Sequence, residues 1–133
     1  MVFEELQAFQ KDKKKLTKKY RSIPDDLETV KQVLEILPDE RPPFSFRINN
    51  LGIETCIIKI KKIACKSLKG KGINSGLRLV YAHFTNAPED STSQASSKNK
   101  GTDRPIEKLI LIELFHKSDK AHEDRNRILK HFK

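Results

Sequence analysis

Between Lys59 and Phe84 the chain carries seven lysine and arginine residues and no acid. Two apolar runs hold three of these cations, Lys59 and Lys61 in the first and Arg78 in the second. In a strand, residues two apart share a face, so Lys59 and Lys61 project together, opposite Cys56, Ile58 and Ile60. Arg78 stands opposite Leu77, Leu79 and Tyr81 and opens on the same side as the two lysines. The connection between the runs carries Lys66, Lys69 and Lys71 among Gly70, Gly72 and Gly76. Glycine tolerates positive φ and lets a backbone come close to a ligand, so this loop is shaped to meet phosphate. For proton transfer the chain offers His116 at the end of the last apolar run, and less convincingly His83. A histidine titrates near pH 6.5, about where a proton can be taken or given at neutral pH. The four histidines and two cysteines form no zinc pattern, and no metal or cofactor is assigned.

The elements that must position these groups follow from periodicity. Phe3, Leu6, Phe9, Leu16 and Tyr20 lie on one helical face, with most of Lys11 to Lys19 on the other. Val2 to Leu6 fits either a short edge strand or the start of that helix. Ser22-Ile23-Pro24-Asp25-Asp26 starts a second helix, with proline in the first turn and acids at the positive end of the dipole. Leu27, Val30, Val33, Leu34 and Leu37 form its apolar side, and Pro38 stops it. Pro42-Pro43 leads into a strand over Phe44 to Ile48, and a turn at Asn49-Asn50 and Gly52 leads into Ile53 to Cys65. Cys56 and Cys65, on opposite faces of such a strand, read as reduced, partly buried thiols. Leu77 to Phe84 is the next strand, with Tyr81 in the core. Ile106 to Phe115 is the last, with Ile110, Ile112 and Leu114 on one face. Ser118 or Asp119 then caps a closing helix carrying Ala121, Ile128, Leu129 and Phe132. Residues 86–105, rich in Ser, Thr, Pro and Asn with no large apolar side chain, read as a mobile insertion at a hairpin tip.

The fold class is therefore α+β: a helix hairpin on one face of a four-stranded, mainly antiparallel sheet, with or without the N-terminal edge strand, and a C-terminal helix at the far side or end. The length of 133 residues suits one domain spanning 1–133. Charge comes in blocks: seven bases and three acids over residues 1–21, one and six over 22–40, nine and one over 41–84. The net charge of +9 and pI near 9.6 favour an anionic partner, nucleic acid before membrane, because no basic amphipathic helix or long apolar run appears. The acidic opening Met-Val-Phe-Glu-Glu is unlike a signal peptide, so a cytoplasmic location is expected.

The pattern K-x-K at Lys59 and Lys61, then Gly70-Lys71-Gly72, then Gly76 to Tyr81 with Arg78 inside, resembles the RelE/ParE superfamily of bacterial toxin-antitoxin toxins, in its HigB-like branch. The opening F-x-K-D-x-K-K-L-x-K-K-Y around Phe9 to Tyr20 and the final Phe115-His116-Lys117 extend the resemblance over most of the chain. It implies a RelE-like fold, an antitoxin partner, and cleavage of ribosome-bound messenger RNA by the 2′-hydroxyl without a metal. Such a reaction needs cations on the pentavalent phosphate, a base and an acid. Lys59, Lys61 and Arg78 can supply the cations, and for proton transfer the sequence offers His116 and, less convincingly, His83; Lys117 matches a basic family position at that strand end, and Lys66, Lys69 and Lys71 would hold RNA phosphates. Two binding-only alternatives stand beside it, a ParE-like gyrase poison and a small basic RNA-binding module.

Overall fold

The computed structural model describes residues 2–49, 51–85 and 107–132, so the insertion expected at 86–105 lies outside the described residues. The elements run β1 (Val2–Glu5), α1 (Gln7–Lys19), α2 (Ile23–Ile36), β2 (Ser45–Arg47), β3 (Cys56–Ile60), β4 (Leu77–Thr85), β5 (Glu107–His116) and α3 (Arg125–Phe132). The class is α+β, and the first residues are a strand. β1 lies parallel to β5 and all other pairs are antiparallel, so the sheet is mixed and five-stranded, ordered β1-β5-β4-β3-β2.

The helix hairpin covers one face of this sheet because its apolar residues recur at helical spacing. Phe9 and Leu16 of α1 and Ile23, Leu27, Val30 and Leu34 of α2 pack on Ile58, Ile60, Leu77, Leu79, Tyr81, Leu109, Leu111 and Leu114. Each such side chain taken out of water contributes about 1.5–3 kcal/mol. The Tyr81 hydroxyl donates to the Pro38 carbonyl at 2.6 Å, tying the end of α2 to the middle of the sheet. On the opposite face Ile57, Val80, Ala82, Ile112 and Phe115 pack with Ile128 of α3.

Strand β3 is shorter than the apolar pattern suggests, ending at Ile60 rather than Cys65. From Lys61 the chain turns into a loop tied by an Ile63–Asn74 bridge and by the Ser75 hydroxyl, which donates to the Ile63 carbonyl at 2.5 Å. Cys65 drops into the hairpin-side core and Cys56 packs against that same core, so the two thiols share a layer instead of opposing faces. Burial pushes both thiols up, against the thiolate form on which cysteine reactivity depends.

Strand β5 does not alternate as expected. Val80 pairs with Glu113 and Tyr81 with Leu111, which leaves Ile112 as the extra residue of a β-bulge. Leu109, Leu111 and Leu114 therefore face the helix hairpin, while Ile110, Ile112 and Phe115 face α3. At the bulge the Leu114 N–H donates to Asp12 Oδ2 at 3.2 Å, and Arg127 donates to the Ile112 carbonyl at 2.9 Å and to Asp12 at 2.7 Å. One arginine thus closes α3 onto both the sheet and α1. Nor do Ser118 and Asp119 cap the last helix: Asp124 Oδ1 accepts from the Arg127 N–H at 3.1 Å.

Candidate functional site

The α3 face of the sheet carries a cross-strand row. Phe46 of β2 lies opposite Lys59 of β3, Lys59 opposite Val80 of β4, and Val80 opposite Glu113 of β5. Directly paired residues share a face, and Val80 belongs to the α3-side cluster, so Phe46, Lys59 and Glu113 project on that side. Lys61 and Arg78 stand beside them: the Lys61 ammonium lies 4.9 Å from the centre of the Phe46 ring, and Arg78 Nη1 donates to the Lys61 and Leu77 carbonyls at 3.0 and 3.3 Å. These two bonds brace the guanidinium against the backbone behind Lys61.

Lys59 is engaged. Its ammonium meets Glu123 Oε1 at 2.7 Å, with the two side chains only 14% and 8% exposed. Burial by itself pushes the Glu123 carboxyl up, but the Lys59 hydrogen bond and charge, together with Arg125, outweigh it and hold the group below the usual carboxylate range. Phe46, Arg47, Ile48, Asn49, Lys59, Lys61, Glu123 and Arg125 line a cleft of about 390 Å³. Arg47 pairs with Ile58, a hairpin-side residue, and its charge acts on the Cys56 thiol there. Lys59, Lys61 and Arg125 thus line the cleft beside Arg47. On the same face Glu113 is fully buried: its Oε1 accepts from the Asp124 N–H at 2.8 Å, and its Oε2 faces the Lys120 ammonium as an ion pair rather than a directional hydrogen bond.

The structure does not bring His116 to Arg78. Because of the bulge, His116 pairs with Leu77 and its ring turns to the helix-hairpin face, where it stacks on Tyr20 at 5.7 Å. Nε2 donates to the Ser75 carbonyl at 2.9 Å, so Nδ1 is the acceptor, taking the Ser118 hydroxyl at 2.7 Å and the Ser118 N–H at 3.0 Å. Both nitrogens are satisfied inside the fold, and the ring splints the end of β5 to the start of β4. His83 also faces the hairpin layer, between Glu107 at 2.7 Å and Asp39 at 3.4 Å.

The loop cations stand apart from the cleft. Lys66, Lys69 and Lys71 are exposed, and Lys117 is exposed where its N–H bonds the Gly76 carbonyl. The base of the loop is fastened to the start of α2, where Ser22 and Ser67 exchange hydrogen bonds at 2.8 and 2.9 Å and buried Asp26 accepts from the Lys66 N–H at 3.3 Å. These lysines ring the end of the sheet without lining the cleft. Sequence reasoning missed Glu123, Arg125, Glu113 and the role of Phe46. No local signal marks Glu123, which meets Lys59 from 64 residues away.

A larger groove of about 760 Å³ runs along the outer side of α1 between Glu5 and Arg21, lined by Lys13, Lys14 and Lys18. Its walls are flexible lysine stems without an aromatic ring, so it has the makings of a contact surface more than of a reacting site. Among the described residues no group of three His, Cys, Asp or Glu side chains is placed to hold a metal ion, and no helix is long and apolar enough to cross a membrane. No protein-family model, curated protein or solved structure matches this chain.

Proposed function

We propose that the protein is a toxin of the RelE/ParE kind, a metal-independent endoribonuclease that cuts messenger RNA on the ribosome and is restrained by a cognate antitoxin. The observation that carries this reading is the cleft, in which Lys61 and Arg125 flank a close Lys59–Glu123 pair with Arg78 braced behind them. In the reaction the 2′-oxygen forms a bond to the adjacent phosphorus and the bond to the 5′-oxygen breaks, leaving a 2′,3′-cyclic phosphate and a 5′-hydroxyl. The 2′-hydroxyl proton needs a base, the departing oxygen needs a proton, and the phosphoryl oxygens need fixed positive charge. Glu123, kept ionised by Lys59 and Arg125, accepts the first proton. The Lys59 ammonium supplies the second. Lys61 meets the phosphoryl oxygens, and Arg78, which cannot lose its charge, adds fixed positive potential from behind it. His116 has no part in this chemistry.

The test is induced expression followed by mapping of RNA ends, with and without ribosomes. Cuts in translated messenger are expected for the parent, and Glu123→Gln should slow cleavage by about 10²-fold or more while RNA binding persists. DNA damage with intact RNA would move the protein to the gyrase-poison reading. Salt-sensitive RNA binding with neither effect would leave an RNA-binding module.

A further inference from the structure

We infer that the Phe46 ring is a stacking platform for one unpaired base of single-stranded RNA, set beside the cations that hold its backbone; the inference rests on the reading of the cleft as an RNA site. Phe46 sits on β2, the edge strand of the sheet, and points to the α3 side opposite Lys59. It is half-buried, yet it belongs to neither apolar cluster, whereas Ile48 two residues on packs into the α3-side core. The ring therefore lines the cleft instead of filling the core. Its packing partner there is the Lys61 ammonium, 4.9 Å from the ring centre, and Lys59 and Arg125 line the same cleft.

A large aromatic ring on an edge strand among cations suits one chemistry well. Single strands are held by cations along the backbone and by aromatic faces under the bases, and because every base has a π-face the stacking tolerates any sequence. The cleft volume of about 390 Å³ is at the lower end of sites that enclose a small ligand, room for one base rather than a run of them. With the Lys59–Glu123 pair alongside, a base stacked on Phe46 would fix its own ribose and the adjoining phosphate at the reacting groups. Phe46 is thus a binding and positioning residue.

The chain has no tryptophan, so Phe46→Trp places a single indole in the cleft. A single-stranded RNA dodecamer should quench its emission, and inorganic polyphosphate should not. Phe46→Leu keeps an apolar side chain but removes the π-face. It should weaken binding of the labelled dodecamer about tenfold and leave polyphosphate affinity unchanged. If the dodecamer binds without quenching, and Phe46→Leu binds it as the parent does, the platform is overturned while the cationic cleft stands. Equal weakening toward both probes also overturns it, by showing that the ring only supports the strand. If the parent binds no RNA at all, the RNA reading of the cleft fails and takes the platform with it.

Discussion

Gly76 has a φ of +95°, and a Cβ added there would lie 2.7 Å from His116 Nε2 and 3.2 Å from Lys117 Cγ. The glycine thus serves two needs, a backbone conformation that other residues resist and the close approach of the His116 ring. Gly76→Ala should cost about 2–4 kcal/mol in denaturant unfolding, backbone strain and displaced ring together. His116→Gln should cost about 1–3 kcal/mol through lost hydrogen bonds and leave the pH profile of RNA cleavage unchanged. A lost limb of that profile would return His116 to the chemistry. Glu123 makes the contrasting residue-scale case. Its folded carboxyl is held below the ordinary value of 4.5, so as pH falls the unfolded chain takes the proton first. The stability that the Lys59–Glu123 pair contributes is therefore complete above about 4.5 and is lost as pH drops through the folded value. Glu123→Gln should cost about 1–3 kcal/mol at neutral pH, and the gap to the parent should close on acidification. A gap independent of pH would mean that the carboxylate charge contributes nothing.

At the scale of elements, the bulge in β5 decides which residues meet. Strand parity was readable for Lys59, because β3 and β4 pair in unbroken register from Cys56 to Ile60, and for Arg78, which stands opposite Phe115 of the α3-side cluster; Lys61 lies just past the end of β3, where its ammonium still reaches the Phe46 ring. It was not readable for β5, since the extra residue Ile112 reverses the faces of everything after it and swings His116 to the hairpin layer. The helices were legible from their 3.6-residue spacing, but the start of α3 was not: Ser118, a good cap by type, is taken by the His116 ring, and Asp124 caps instead. The opposing charge of the Lys59–Glu123 pair was beyond any local pattern. What holds the bulge open is Arg127. Burial pulls its pKa down, but the Asp12 hydrogen bond and the charges of Asp12, Glu113 and Asp124 outweigh that and raise it. Arg127→Ala should cost about 2–4 kcal/mol by leaving the Ile112 carbonyl and Asp12 without this partner. Hydrogen exchange should then rise at Leu114 and along α3 while the β3–β4 ladder stays protected; protection retained at all of these sites would show that the bulge closes without the arginine.

Across the whole molecule, the fold separates two cationic surfaces that lie close together in composition. One is the cleft on the α3 face with Lys59, Lys61 and Arg125, and Arg78 beside Lys61; the other is the outer side of α1 with Lys14, Lys18 and Arg21. The acids of α2 and its following turn, Glu35, Asp39 and Glu40, are exposed at the opposite end of the helix hairpin from the Ser22–Ser67 clasp. A polyanion thus meets attraction on particular surfaces and repulsion on another, so net charge alone does not set where it docks. Counterion release makes this measurable, because each phosphate neutralised on a single strand adds about 0.7 to the log–log slope of affinity against salt. If RNA crosses the cleft, Lys59→Ala, Lys61→Ala and Arg78→Ala combined should flatten the slope by about 2, while Lys14→Ala, Lys18→Ala and Arg21→Ala combined should change it by less than about 0.7. Circular dichroism must show both triple variants folded, since Lys59 and Arg78 also make structural bonds. The reverse pattern, with the α1 set flattening the slope and the cleft set leaving it intact, would place the RNA on the outer side of the helix hairpin and remove the cleft from the binding path.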